Sequence, residues 1–167
     1  LLTLSVKEDA GLYVFFIGMY YLASGKDKKA KLNGLATGFV ALVYFIAAIK
    51  FLERFGLGPM ISRYNNFITV GDSGFVDLIK NLLKNPGHLV YSLFTEEKLN
   101  FIIQVFAPLM FIPLLTKSPK LYLLACPLIV INLLPGYQYQ HIVGYQYVFG
   151  SGALLVYMFI KNLSEIK

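Results

Sequence analysis

Long uncharged runs separated by short polar segments organise this chain. Five such runs stand out, at 11–23, 32–49, 99–115, 121–134 and 148–160. An apolar piece at 1–6 precedes the first, with Lys7-Glu8-Asp9 between the two. The second holds 18 residues without a charge. At about 1.5 Å per residue it covers most of a hydrocarbon core roughly 30 Å thick. The third contains Pro108 and Pro113, which membrane helices tolerate as kinks when neighbours satisfy the freed carbonyls. The fourth is short and contains Pro127, so it either includes its flanks or dips in without crossing.

A different period marks the long connection 50–98. Phe75, Val76, Ile79, Leu82 and Leu83 recur at helical spacing opposite Asp77, Lys80, Asn81 and Lys84, the pattern of a helix lying in the membrane interface. Pro86-Gly87 stops it, and a second short apolar piece, 89–94, leads to Thr95. Thr95 is placed to cap the third long helix, with Glu96 and Glu97 at its positive end.

Composition turns these runs into a class. Of 167 residues, 57% are hydrophobic and only 14% charged, with mean hydropathy +0.63. Soluble domains carry about 25% charged residues, so a water-exposed globule is excluded, and so much Leu, Ile, Val and aromatic side chain excludes disorder. The expected fold is an all-α, polytopic transmembrane helix bundle of about five membrane segments plus interfacial amphipathic helices. It forms a single transmembrane domain, 1–167, with 50–98 as its outer connection. The lone Cys126 rules out an internal disulfide framework, and no zinc-ligand spacing is present. The chain opens Leu1-Leu2-Thr3 and is read as a piece of a longer protein, with further N-terminal helices as partners of those seen here.

The fifteen Lys and Arg are distributed as a topological signal. Lys26, Lys28, Lys29 and Lys31 crowd one short loop, Lys117 and Lys120 a second, and Lys161 and Lys167 the tail. Positive charge is retained on the cytoplasmic side. If every run crosses, 50–98 and the cation-free loop 135–147 are extracytoplasmic. The net charge of +6 therefore reflects orientation, and without a basic stripe interleaved with aromatics a nucleic-acid partner is not expected.

Three outer segments carry candidate chemistry. Lys7, Glu8 and Asp9 sit at the outer mouth of the first helix, where charge is costly and often functional; the plainer role is to complement a helix N-terminus. Successive helical residues diverge by about 100°, so one acidic group is expected inward, with Lys7 or an outside Arg as partner. Arg63-Tyr64 follows the turn-rich 56–59 and precedes Gly71-Asp72-Ser73-Gly74, whose Asp72 reads as a turn residue. The Arg63 guanidinium suits bidentate phosphate binding, with lipid head groups as the plainer partner. The loop 135–147 alternates Tyr and Gln around His141. That is an aromatic belt, and equally a sugar-binding surface, since rings cover pyranose faces while amides bond hydroxyls. Gln104 and Asn132, inside helices, read as interhelical hydrogen-bond partners.

Val6-Lys7-Glu8-Asp9-Ala10, Arg63-Tyr64, Pro113-Leu114-Leu115, Asn132-Leu133-Leu134 and the Gln-, His- and Tyr-rich loop together resemble the polytopic microbial membrane proteins of domain of unknown function 2079. The resemblance covers nearly the whole chain but only the later part of that family's length. It implies a GT-C-like fold and membrane glycosyltransferase-like activity at the extracytoplasmic face, with a polyprenyl-phosphate-linked sugar as donor and room for a divalent cation. Carried over by motif, Glu8 and Asp9 stand as the catalytic carboxylates. Lys7, Arg63, Tyr64, His141, Tyr145 and Gln146 stand as substrate- and phosphate-binding residues, with no metal ligands assigned. The family loop reads closer to His-Tyr-His-Tyr, and Gly144-Tyr145-Gln146-Tyr147 lacks those imidazoles, which favours binding over catalysis there. Under the resemblance the usual acidic base lies upstream of Leu1. A transporter or flippase, or a non-catalytic scaffold, are the alternatives, and in the last the outer polar residues would not converge.

Overall fold

The structure is a computed structural model that describes residues 3–4, 7, 9–55, 60–68 and 74–165. Glu8 and the 56–59 and 69–73 segments, Asp72 included, lie outside the described residues. Among those described, every regular element is helical: α1 (Ala10–Ser24), α2 (Lys28–Arg54), α3 (Phe75–Lys84), α4 (Pro86–Leu93), α5 (Glu96–Phe106) and α6 (Phe149–Leu163), joined by 3-10 and π turns.

Asp27 starts α2, its Oδ1 accepting from Ala30 N at 2.6 Å. A glycine seam then sets how closely α1 and α2 approach. A Cβ built on Gly18 would stand 2.5 Å from the backbone nitrogen of Gly38 and 2.8 Å from the carbonyl of Gly34, so the two backbones touch where side chains are missing. Opposite that seam, Leu32, Phe39, Val43 and Phe51 of α2 are exposed. Among the described residues α2 alone is long and apolar enough to cross a membrane; Ala10–Ser24 and Pro119–Leu133 are apolar but shorter.

The uncharged run at 99–115 does not form one helix. α5 ends at Phe106, 3-10 turns follow at Ala107–Leu109 and Ile112–Leu115, and Met110 and Phe111 between them are left-handed, at φ 50° and 56°. Pro108 and Pro113 lack the N–H that a continuing helix needs, and their rings clash with the preceding turn. Phe111 N donates instead to Phe106 O at 3.1 Å, and the two rings stack at 6.3 Å. The fourth run is likewise divided, into a 3-10 segment Pro119–Leu124 and, beyond Pro127, a π-helix Leu128–Leu133.

In the 50–98 connection α3 forms at the expected place, but its faces differ from the expected single stripe. Phe75, Leu78 and Leu82 turn inward, with Leu78 buried, while Val76, Ile79 and Leu83 are exposed. Pro86 opens α4 as well as ending α3, and the Asn85 side chain caps α4 by accepting from His88 N. Thr95 occupies the N-cap of α5, yet its side chain makes no capping hydrogen bond.

Two apolar cores result. Phe101, Phe106, Leu121, Leu128, Leu155 and Met158 belong to one, and Phe45, Ile49, Ile61, Tyr64, Phe67 and Leu78 to the other. The Met60–Phe67 turn is tied to the fourth segment and the loop that follows it: Gly136 N donates to Arg63 O, Asn66 Nδ2 to Leu134 O, and Tyr64 OH to Val130 O.

Candidate functional site

Segments far apart in sequence meet at the ring of Tyr147. Lys7 Nζ stands 4.2 Å from its centroid, and the Arg63 guanidinium carbon 5.4 Å from it. Both cations use the electron-rich face of one phenol, a contact that gains about 0.5–2 kcal/mol with desolvation. Lys7 Nζ is also 3.1 Å from Asp9 Oδ2, with the Asp9 side chain only 5% exposed and that of Lys7 26%. Asp9 is therefore an inward carboxylate, held by Lys7 two residues earlier at the head of α1.

The polar floor below this cluster explains why Tyr147 stays in place. Asn132, wholly buried in the π-turn, donates through Nδ2 to Tyr147 O at 3.1 Å and to Gln140 O at 2.7 Å. Ser151 Oγ donates to Asn132 Oδ1 at 2.6 Å, and the Tyr13 hydroxyl approaches Tyr147 O and Ser151 Oγ at 3.4 and 3.5 Å. Asn132 thus joins the fourth segment to α6 and to the loop, the interhelical role its position suggested.

Tyr64 lies beside Arg63 but does not face the same way. It is buried, its hydroxyl donates to Val130 O at 2.9 Å, and burial drives its phenol well above the usual tyrosine range. Its geometry is that of a tether for the Met60–Phe67 turn. Tyr145 and Gln146 are exposed and line an open recess of about 590 Å3 with Tyr137, Tyr139 and Tyr147. Its walls are phenol rings in edge contact, Tyr137 with Tyr139 at 5.2 Å and Tyr139 with Tyr145 at 4.9 Å.

His141 lies in a different recess. Its Nε2 is 3.3 Å from Glu97 Oε2, with a buried imidazole and an exposed carboxylate. Burial pulls its pKa below the ordinary value of 6.5, the Glu97 hydrogen bond opposing the shift only in part. The recess holds about 310 Å3 and is lined by Glu97, Asn100, Gln104, Gln138 and His141 over Phe101. Lys98, next to Glu97 in sequence, is buried, donating from Nζ to Ser92 O at 2.7 Å.

The structure therefore brings Lys7, Asp9 and Arg63 together, sets Tyr145 and Gln146 along the adjoining tyrosine wall, engages the nearby Tyr64 hydroxyl with Val130 O, and places His141 in another recess. Sequence reasoning gave Glu97 no role in a site and took Tyr137 and Tyr147 only as members of the Tyr-rich loop. Glu97, Asn100 and Gln104 fall at i, i+3 and i+7, a polar stripe on one face of an otherwise apolar run, and that spacing could have marked the second recess. Among the described residues no group of three or more His, Cys, Asp or Glu is disposed to hold a metal ion.

No curated protein and no solved structure matches this chain. One family model does, over residues 1–167, and the motifs gathered at the head of α1, before α3 and ahead of α6 lie within that match. The chain belongs to the family described as predicted membrane protein, domain of unknown function 2079.

Proposed function

We propose that this chain forms the later part of a GT-C-like membrane glycosyltransferase, handling a polyprenyl-phosphate-linked sugar at the extracytoplasmic face of a microbial plasma membrane. The observation that carries the reading is the meeting of Lys7 and Arg63 over Tyr147 beside the inward carboxylate of Asp9. Two cations from distant segments on one ring make a site for an anion at the head of a membrane helix. Charge-assisted bonds from both would hold the sugar phosphate and stabilise the charge that develops as it departs. Asp9 keeps Lys7 in position. The carboxylate that activates the acceptor is Glu8 or lies upstream, in helices that complete the bundle. The tyrosine-walled recess with Gln146 suits the sugar itself.

In this reading residues 1–167 are a single transmembrane domain with five membrane segments, the proline-broken 99–115 and 121–134 runs crossing as kinked or re-entrant pieces. The outward stripe of α3, Val76, Ile79 and Leu83, supports an interfacial position for the 50–98 connection.

The test is transfer from a polyprenyl-phosphate sugar by the full-length protein in lipid nanodiscs. Arg63→Ala is expected to lower kcat/KM by about 10–100-fold, the loss of roughly 1.4–2.7 kcal/mol of phosphate stabilisation. Transfer at the wild-type rate would remove Arg63 from the phosphate site. Movement of the substrate across the membrane of sealed proteoliposomes, without transfer, would instead favour a transporter.

A further inference from the structure

The recesses described above are not isolated from each other. The tyrosine-walled one shares Tyr137 and Tyr139 with a second recess of about 300 Å3, to which Ser62, Asn65, Gly136 and Gln138 add polar walls. That second recess shares Gln138 with the Glu97–His141 recess. Three adjoining hollows therefore follow the 135–147 loop, from Tyr147 with its two cations at one end to Glu97 and His141 at the other. Each lies within or at the edge of the size range of small-ligand sites, about 300–1,000 Å3.

Their linings change character along the way. Phenol rings dominate near Tyr147, two primary amides and the Ser62 hydroxyl join two of those rings in the middle, and a carboxylate with three amides dominates at the far end. Rings pack on the CH faces of pyranoses, while amides both donate to and accept from hydroxyls. The Glu97 carboxylate accepts charge-assisted bonds from hydroxyls and repels anions. Among the described residues no Lys or Arg lines the far recess, and the neighbouring Lys98 ammonium is turned away onto Ser92 O. The far end thus suits an uncharged polyol and disfavours a phosphate, the opposite preference to the Lys7–Arg63 end.

We infer that this groove binds a neutral oligosaccharide, the acceptor, laid along the loop with its growing end toward Tyr147 and its far end held by Glu97, Gln104 and Gln138. The inference rests on the donor reading above, which gives the tyrosine-walled recess to the transferred sugar; Glu97, Gln104 and Gln138, which carry the inference, lie outside that recess. Glu97 and His141 hold the far sugar and take no part in bond making.

Two ligands separate the two readings. The full-length protein in nanodiscs is examined by saturation-transfer difference NMR with maltotriose, cellotriose, mannotriose and chitotriose, and in a separate titration by phosphorus NMR with farnesyl phosphate. At least one trisaccharide is expected to receive saturation, and Glu97→Gln and Gln138→Ala are each expected to weaken it about tenfold, the loss of a charge-assisted or bidentate contact. Both residues are exposed, so neither substitution opens the core. Saturation of none of the four sugars, or wild-type affinity in both variants, overturns the groove. Farnesyl phosphate binding alongside silent sugars overturns the groove alone, whereas sugar binding without farnesyl phosphate leaves the groove standing and overturns the donor site.

Discussion

At the scale of single residues, burial decides which charges hold the fold. Lys7 is the only described cation within ion-pair distance of Asp9, and Asp9 is nearly sealed from solvent. Lys7→Ala would leave a buried carboxylate unmatched, which costs about 3–5 kcal/mol in a fully buried pair and, with Lys7 itself 26% exposed, about 2 kcal/mol here. Thermal unfolding in detergent should show the loss, and adding Asp9→Asn should restore part of it, since the stranded charge is then gone. His141 supplies a pH signature of defined sign. Its folded pKa is depressed below 6.5 because burial disfavours imidazolium, so between the two values the unfolded chain holds a proton that the folded chain lacks. Its contribution to stability is complete above the unfolded pKa and is lost as pH falls from about 6.5 toward the folded pKa. An unfolding midpoint that drops over this acid range, with a shallower drop in His141→Asn, is the expected result; identical slopes would show that His141 titrates no differently in the two states. At this scale the sequence was partly readable: charge near a membrane flagged Lys7, Asp9 and Arg63. Tyr147 was not legible as a hub, because nothing in a run of alternating Tyr and Gln says which ring two distant cations will share.

Among the elements, spacing was readable where one chain segment decides the outcome and unreadable where neighbours decide it. α1, α2, α3 and α6 fall where apolar runs and amphipathic spacing put them. The α3 face was misjudged because period alone shows two apolar stripes without saying which one the core of Phe45, Ile61 and Tyr64 will take. The 99–115 run was read as a kinked helix, whereas it breaks into turns with two left-handed residues, each costing about 1–2 kcal/mol that ring stacking of Phe106 on Phe111 and local hydrogen bonds must offset. The glycines of α1 and α2 carry the firmest prediction at this scale. Gly18→Val puts branched carbon where the backbones of Gly34 and Gly38 already stand. The helices must separate, at a cost of about 1–3 kcal/mol or more for overpacking. A lower unfolding midpoint, with loss of disulfide trapping between cysteines placed at Phe15 and Gly38, would register the separation. Gly152, whose Cβ would meet nothing, is the matched control and should tolerate Ala.

For the whole molecule, α2 is the helix among the described residues that is long and apolar enough to cross a membrane. α2 exposes Leu32, Leu35, Phe39, Val43 and Phe51 along its length, and lipid or neighbouring helices must cover that surface in the membrane. The proposed five segments put the 26–31 and 117–120 loops on the cytoplasmic side and the 135–147 loop, with the whole Tyr147 cluster and groove, on the other. The assignment follows from where lysines accumulate, and it can be tested without any knowledge of substrate. Cys126 is the lone cysteine. In a Cys126→Ser background, single cysteines at Lys29 and at Gly144 are both exposed positions, and Gly144 has room for a side chain. A membrane-impermeant maleimide added to intact cells should label Gly144→Cys and spare Lys29→Cys until the membrane is opened. Labelling of both from outside would mean that an odd number of crossings between them has been miscounted, most directly because 121–134 re-enters where 99–115 crosses. The Lys7–Arg63 cluster and the loop would still share one face, because Tyr147 joins them, but that face would then need to be assigned afresh, and with it the side on which a lipid-linked donor is met.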